Sequence, residues 1–456
     1  QAILDGEITL EMVAAKNVIM LDEFQDVSQI EFDFLNAIKK VAGEPRMIAA
    51  GDDDQNIYEF RGASVQFMQR LVEGEKARTY FLTDNYRSGQ HIVEFSNSFL
   101  GFLPTSRLKS RTVLRSKREQ PGAVQMVKYA QKGFIEAFCQ SIARADLKGT
   151  IGVLTYSNEE AYLTASRLKN LGMPATLVAS TKEFQLKNLI ELKEFSFLLE
   201  KAVNSVSGWI SNEIWNKLKQ KLKAKYERSV DWPLVDKIIH TFDREKKYKY
   251  RVDWLEYINH AKIEDFYSEE KGRVFVSTMH KIKGKQFDKV FLLLDSFKLK
   301  GDAEARVVYV AITRPRNYLE VHTHLPIFDQ IATPGLKKTT GNSSTESLPF
   351  FTIQCSLSDV VLSHFHNDDI KARVKLLMTG DELEFSQGTK FYRAALPGQW
   401  NEMAACFSLS LKSTLDQHFA KGYKVKSLRV GHIVYWWDKE MEAGVRVVLP
   451  EVELGK

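Results

Sequence analysis

The sequence predicts an α/β protein with parallel sheets, a helical insertion and a small C-terminal β-rich module. Three observations carry that expectation. Short apolar runs end in carboxylates with helical spacing between them; strand-like segments resume on both sides of a long insertion rich in Lys, Glu, Leu and Trp; and short alternating segments follow a stretch rich in Pro, Gly and Ser. With 456 residues and 44% hydrophobic content, the chain can bury sizeable cores, and its length suits two to four domains.

Residues 17–22, Asn-Val-Ile-Met-Leu-Asp, form an apolar run ending in an acid, the pattern of a buried parallel strand with a carboxylate at its C-terminal edge. Residues 46–52 repeat it. Between them Ile30, Phe34, Leu35 and Ile38 recur at helical spacing, so strand, helix and strand follow one another as in a doubly wound sheet. Ligands of such sheets sit at the carboxyl ends of the strands, which makes those acids the place to look for one. Further strands are read at 151–156, 274–277, 289–294 and 318–322, and the insertion at 183–270 carries Leu189, Leu192, Phe195 and Leu199 at helical spacing. Residues 325–348, with Pro326, Pro334, Gly335 and Gly341, read as a flexible linker. Alternating segments at 382–385, 405–409, 433–437 and 445–449 then suggest a compact all-β module.

The formal charge of +6 permits a polyanionic partner without demanding one. Cys139, Cys355 and Cys406 suit neither a disulfide framework nor a paired-cysteine zinc site, which points to a reducing, intracellular (cytoplasmic) setting. No run reaches the roughly eighteen apolar residues of a membrane span, so no membrane association is expected, and the N-terminus lacks a signal-peptide layout. The start at Gln1, without methionine, suggests a cut inside a longer polypeptide.

Hydrolysis of a nucleoside triphosphate needs a metal, a group that orients water, and cations where negative charge develops. The chain offers each. Asp22 is placed to hold Mg²⁺ and Glu23 to polarise water, although adjacent acids also occur on plain solvated faces. The segment 50–63, Ala-Gly-Asp-Asp-Asp-Gln-Asn-Ile-Tyr-Glu-Phe-Arg-Gly-Ala, packs acids, a glutamine, aromatics and an arginine directly after a strand. Gln55 can sense a terminal phosphate, while Tyr58 and Phe60 offer flat faces worth about 1–3 kcal/mol each when a base stacks on them. Taken singly, either aromatic could equally be core.

Residues 18–26 resemble motif II of superfamily 1 helicases of the UvrD/Rep/PcrA kind, and 51–63 resemble their motif III nearly residue for residue. Residues 82–88, Leu-Thr-Asp-Asn-Tyr-Arg-Ser, are similar to motif IV; 274–287 to motif V; and 308–314 to motif VI. Five motifs stand in family order. The resemblance implies two RecA-like (P-loop NTPase-type) lobes, the first incomplete. By it residues 1–80 end the first lobe, 81–182 and 271–328 form the second, 183–270 are the helical insertion, 329–354 a linker and 355–456 a small β-rich accessory module.

The same resemblance implies ATP and Mg²⁺ as cofactors and assigns roles. Asp22 and Glu23 hold metal and activate water; Gln55, Arg87 and Arg314 reach the γ-phosphate; Tyr86 stacks on adenine; Gln286 touches the ribose; Tyr58, Phe60, Arg61, Thr278 and His280 hold single-stranded DNA. The implied activity is ATP-driven 3′ to 5′ movement on single-stranded DNA with unwinding at duplex junctions. The alternative is a non-catalytic DNA-binding or scaffold subunit that keeps the fold.

The pattern is broken in places. No Gly-x-x-x-x-Gly-Lys-[Ser/Thr] phosphate loop occurs in the chain, so the loop is expected upstream and the isolated fragment is expected to be inactive in ATP hydrolysis. Gln286 replaces a common glutamate, Phe60 a usual tryptophan, and Pro315 follows Arg314, where it would end or bend a helix. In the C-terminal module Tyr435, Trp436 and Trp437, beside a basic stretch at 421–429, could serve a nucleic acid or protein partner or simply build a core. His364, His366, Asp368 and Asp369 read as a loop rather than a metal site.

Overall fold

Val18–Leu21 (β1) and Arg46–Ala49 (β2) pair in parallel, Val18 opposite Arg46, with helix α1 (Gln29–Val41) crossing between them. This computed structural model describes residues 18–41, 45–59, 62–74, 77–102, 113–146, 148–177, 185–202, 208–261, 265–266, 274–342 and 350–456. Leu35 of α1 packs with Phe24 and Phe67 in a small core that also takes Ile19, Leu21 and Met47. The strands, read as buried, are covered on that side alone among the described residues: Met20 is 75% exposed and Val18 and Ile48 also face outwards. One helix can shield one face of a two-stranded ribbon, and alternation sends every second side chain the other way.

Helix α2 (Gln66–Gly74) follows, then β3 (Asp84–Asn85), α3 (Gln90–Leu100) and β4 (Arg115–Ser116), with β3 and β4 parallel. The chain continues through β5 (Ala123–Lys128), α4 (Ile135–Arg144), β6 (Ile151–Thr155), α5 (Asn158–Asn170) and β7 (Ala175–Leu177). Next come α6 (Ile190–Ala202), β8 (Trp209–Ile210), α7 (Asn212–Tyr226), α8 (Trp232–Glu245), β9 (Lys249–Tyr250) and α9 (Arg251–His260). Strands β10 (Val274–Thr278) and β11 (Phe287–Leu294), helix α10 (Asp302–Ile312), and strands β12 (Pro315–Thr323) and β13 (Leu336–Thr340) then lead to the C-terminal module.

A seven-stranded sheet runs β13-β5-β12-β11-β6-β10-β7, and its pairs from β13 through β6 are parallel. β6, Ile-Gly-Val-Leu-Thr, and β10, Val-Phe-Val-Ser-Thr, are buried at every position, as befits strands covered on both faces. α10 is apolar from Val307 to Ile312 and buried along that run; its first turn carries Asp302 and Glu304, acids that suit the positive end of the helix dipole. It ends at Ile312, so Pro315 opens β12 instead of bending a helix. β13 lies inside the stretch read as a linker and pairs with β5.

The chain divides into two compact units, one of residues 1–161 with 276–345 and the other of 162–275 with 346–456. In the second unit the helical insertion and the C-terminal module share one continuous core. Trp215, Trp254, Phe195 and Phe242 meet edge-to-face or stacked at 5.0–5.5 Å, and the same cluster runs on through Phe351, Phe407, Val434 and Val447. The module is a six-stranded sheet ordered β14-β19-β18-β15-β16-β17, with β14 (Phe350–Gln354), β15 (Glu382–Gln387), β16 (Tyr392–Leu396), β17 (Gln399–Cys406), β18 (Lys424–Asp438) and β19 (Ala443–Gly455). It is not all-β. Helices α11 (Asp368–Val374) and α12 (Leu409–Ala420) belong to it, the latter started by Ser408, whose hydroxyl accepts from the Leu411 amide at 3.3 Å, and anchored by Leu411 and Leu415. His366 pairs with Asp438 at 2.9 Å, while Asp368 and Asp369 sit exposed in the first turn of α11.

Candidate functional site

β1 ends at Leu21 and releases Asp22 and Glu23, both exposed, at its carboxyl edge. Glu23 stands in the left-handed region, φ 51° and ψ 40°, which costs a side-chain-bearing residue about 1–2 kcal/mol. Neighbours hold it there. Its N–H donates to Asp22 Oδ1 at 2.9 Å, its carboxylate accepts from Gln25 Nε2, and the next amide, Phe24 N, donates to the Ala50 carbonyl at 2.9 Å.

Gln25 is fully buried, and its Oε1 accepts from the Asp52 amide at 2.9 Å, so one side chain ties the end of β1 to the end of β2. Gly51 makes that possible: a Cβ there would lie 2.8 Å from Gln25 Oε1. Asp52 caps the 3-10 turn Asp53–Gln55, accepting from the Asp54 amide at 3.1 Å and from Gln55 Nε2 at 2.7 Å. Gln55 Oε1 in turn accepts from Arg314 Nη2 at 2.8 Å. The result is one hydrogen-bonded chain from Glu23 through Gln25, Asp52 and Gln55 to Arg314.

Arg314 is 2% exposed and pinned by the end of α10, donating from Nε to the Val310 carbonyl at 2.8 Å and from Nη2 to Thr313 Oγ1 at 3.0 Å. Burial first, then the like charge of Arg87, pull its pKa down to about 10, which leaves it charged at neutral pH. Arg87 reaches the Thr313 carbonyl at 3.5 Å and is likewise lowered, by burial and then by Arg316. Two half- to fully buried guanidiniums without a carboxylate bound directly to either, among the described residues, form a place that an anion would stabilise.

Lys283 joins the two sides of the site. Its ammonium is 2.6 Å from Asp26, 2.7 Å from the Gln55 carbonyl and 5.2 Å from the Tyr58 ring centre. Burial outweighs that ion pair at Asp26, whose pKa is raised. Glu59 pairs with Arg306 of α10 at 2.5 Å. Neither Lys283 nor Arg306 was singled out from sequence; the lysine stands in the motif V-like string, one of three lysines with nothing local to distinguish it.

The remaining sequence-predicted residues fall as follows. Tyr86 is 75% exposed just after β3, and Tyr58 is half-buried. Thr278 is buried at the end of β10; His280 is half-buried in the turn that follows, where burial lowers its pKa. Gln286 lies against arginines: with its amide oxygen turned to Arg87 it accepts from Nε at 3.1 Å and Nη2 at 3.2 Å, the orientation that satisfies both groups. Phe60 and Arg61 lie outside the described residues. For Mg²⁺, which takes one or two carboxylates together with phosphate and water oxygens, the exposed Asp22 and Glu23 are a fitting donor set. Asp52, Asp53 and Asp54 also bring carboxylate oxygens within 4.8 Å of one another, with the last two buried.

Residues 3–74 match the UvrD/REP helicase N-terminal domain, and residues 209–325 match the UvrD-like helicase C-terminal domain. DNA helicase II of Haemophilus influenzae is 35% identical over 82 residues, 18% of this chain and 11% of that protein. Putative ATP-dependent DNA helicase YjcD of Bacillus subtilis is 22% identical over 390 residues, 66% of this chain and 51% of that protein. ATP-dependent DNA helicase PcrA of Leuconostoc citreum is 23% identical over 186 residues, covering 39% of this chain and 24% of the relative. The matched stretches therefore span about half of one curated relative and far less of the others.

Proposed function

We propose, for a chain that carries UvrD/REP superfamily 1 helicase domains, both N-terminal and C-terminal, that it supplies the hydrolytic and strand-gripping part of an ATP-dependent DNA translocase. In this reading β1 and β2 belong to one RecA-like lobe and the seven-stranded sheet to a second, with ATP between them and single-stranded DNA alongside, moving 3′ to 5′. The hydrogen-bonded chain from Glu23 to Arg314 supports it most strongly, because it couples a water-activating carboxylate to a γ-phosphate cation through groups from both sides.

Asp22 and Glu23 would hold Mg²⁺, which when bound neutralises phosphate charge. Glu23, kept in its strained conformation by Gln25, orients water for attack. Gln55 now spends its carbonyl on Arg314, so a terminal phosphate arriving there takes over the guanidinium and frees the glutamine to sense it. Arg87 and Arg314 then stabilise charge on the transferring group, and hydrolysis removes the anion that draws the two sides together. Tyr58, Tyr86 and His280 keep the roles that the motifs imply: base stacking for the first, adenine stacking for the second, strand contact for the third. The setting is the bacterial cytoplasm, where the DNA lies; among the described residues no helix is long and apolar enough to cross a membrane.

The test is a polypeptide joining this chain to a phosphate-binding loop, assayed for DNA-stimulated ATP hydrolysis. Glu23→Gln and Arg314→Ala should each lower the rate at least about 100-fold with unchanged circular dichroism. Rates equal to the parent would sink the assignment. Under the alternative reading, a non-catalytic DNA-binding scaffold that keeps the fold, oligonucleotides bind but no stimulated hydrolysis appears even with the loop supplied.

A further inference from the structure

One ammonium group touches three parts of the site that carry different chemistry. Lys283 stands just after the turn Met279–Ile282 that bears His280, and Gly284, at φ 81°, lets the chain reverse immediately behind it. The lysine side chain is 8% exposed. Its Nζ lies 2.6 Å from both carboxylate oxygens of Asp26, 2.7 Å from the Gln55 carbonyl and 5.2 Å from the centre of the Tyr58 ring. An ammonium has three N–H groups and no acceptor, and a carboxylate, a carbonyl and the face of an aromatic ring are all partners that its charge favours.

Each contact leads somewhere different. Asp26 closes the 3-10 turn Phe24–Asp26, and its amide donates to the Glu23 carbonyl at 2.9 Å, so its position is coupled to that of the left-handed Glu23. Gln55 is the residue whose side chain engages Arg314, and Tyr58 is the ring to which base stacking is assigned above. Burial makes the three contacts depend on one another. A shift of the ring or of the Gln55 backbone moves the charge that Asp26 needs, and a carboxylate only 24% exposed has little water to turn to instead. The other connection between these turns, from Gln25 to the Asp52 amide, joins neutral groups and does not include Tyr58.

We propose that Lys283 is a positioning residue that carries strand occupancy to the hydrolytic turn. A base stacked on Tyr58 fixes the ring, the ring and the Gln55 carbonyl fix the ammonium, and the ammonium fixes Asp26 and with it Glu23. The proposal rests on the translocase reading above and deepens it, naming the side chain through which DNA stimulates hydrolysis. Lys283 supplies charge at a fixed point, so an apolar side chain of similar length fills its space without replacing it.

Hydrogen–deuterium exchange of the whole chain without nucleotide, free and saturated with an oligo-dT strand, tests it. In the parent the strand should slow exchange about fivefold, the lower end of ordinary coupling between sites, in both 55–58 and 23–27. In Lys283→Met the protection of 55–58 should persist while that of 23–27 falls below about twofold, and Lys283→Arg, which keeps the charge, should restore part of it. A merely structural role raises exchange of the free and bound states together and leaves their ratio unchanged. Because Lys283→Met strands the Asp26 carboxylate, the double variant Asp26→Asn/Lys283→Met is measured beside it; it removes that buried charge and should lose the same protection. Full strand-induced protection of 23–27 in either folded Met variant, or none there in the parent while 55–58 is protected, overturns the assignment and leaves DNA binding intact. Loss of protection in both segments of the Met variants at saturating strand makes Lys283 a strand contact and overturns it as well. No binding of the strand by the parent at low salt overturns the DNA-binding reading itself.

Discussion

Gln25 shows how much of the site rests on a residue with no chemistry of its own. Both ends of its amide are used, one on the Glu23 carboxylate and one on the Asp52 amide, and Gly51 leaves the space for it. Gly51→Ala should therefore displace Gln25, release Glu23 from its left-handed conformation and cost about 1–3 kcal/mol by overpacking. Thermal unfolding reads the stability, and hydrolysis in the loop-bearing polypeptide reads the release; a variant that melts and turns over like the parent would show that Gln25 tolerates displacement. Lys283→Met should leave the partly buried Asp26 carboxylate uncompensated, a loss on the order of 1–3 kcal/mol. Adding Asp26→Asn to that variant should recover part of it. If the double variant is no more stable than the single, the pair carries no coupling.

At the scale of elements, close approach decides which strands can be neighbours. Gly152 sits in β6 opposite Val290 of β11, and a Cβ there would meet the Phe287 ring at 2.6 Å. Gly152→Val should lower the urea midpoint by an amount equivalent to about 1–3 kcal/mol, and Phe287→Leu in the same background should relieve some of it; no relief would place the clash elsewhere. In the second unit the insertion meets the module through charge as well as apolar packing. Glu191 of α6 is buried, with Oε1 accepting from Ser229 at 2.8 Å and Oε2 without a partner among the described residues, and Asp231 pairs with His432 of β18 at 2.9 Å.

Burial, then the charge of Asp231, pushes Glu191 up to about 7 from an ordinary 4.5. Between those values the folded state holds a proton that the unfolded chain has lost, so stability falls as pH rises through that window. At His432, burial pulls the pKa down, but Asp231, Glu191 and Glu451 together outweigh it and the net shift is upward. Its contribution is complete below about 6.5 and fades as pH climbs through the raised value, the same sense as Glu191. The second unit should therefore be more stable at pH 5.5 than at pH 8. Glu191→Gln should flatten that difference by on the order of 1–3 kcal/mol, as read from urea midpoints at the two pH values. An unchanged difference would remove Glu191 from the account.

For the whole molecule, a formal charge of +6 on 456 residues is too small to steer binding alone, so any affinity for DNA comes from placed cations and rings. Single-strand binding should still weaken with salt, with a slope of log affinity against log salt of roughly −0.7 for each phosphate neutralised. Titration over a range of salt measures it, and a slope near zero would speak against backbone contacts. The candidate site lies entirely within the first compact unit, while the second has a core of its own.

The sequence by itself determined the motif strings and the strand-end position of Asp22, because apolar runs and neighbouring acids are local patterns that read directly as strands and their edges. It also carried Gln55, Arg87 and Arg314 through their resemblance to known motifs. Only the tertiary structure decided that Gln25 bridges two strand ends, that Lys283 meets Asp26 from 257 positions away, and that Gln286 faces arginines. It likewise decided that the insertion and the C-terminal module share a core, and that β13 extends the parallel sheet out of a stretch resembling a linker. The reason is the same in each case. Periodicity and composition describe what a segment can bury, whereas the partner it buries against is chosen by packing between segments that the chain keeps far apart.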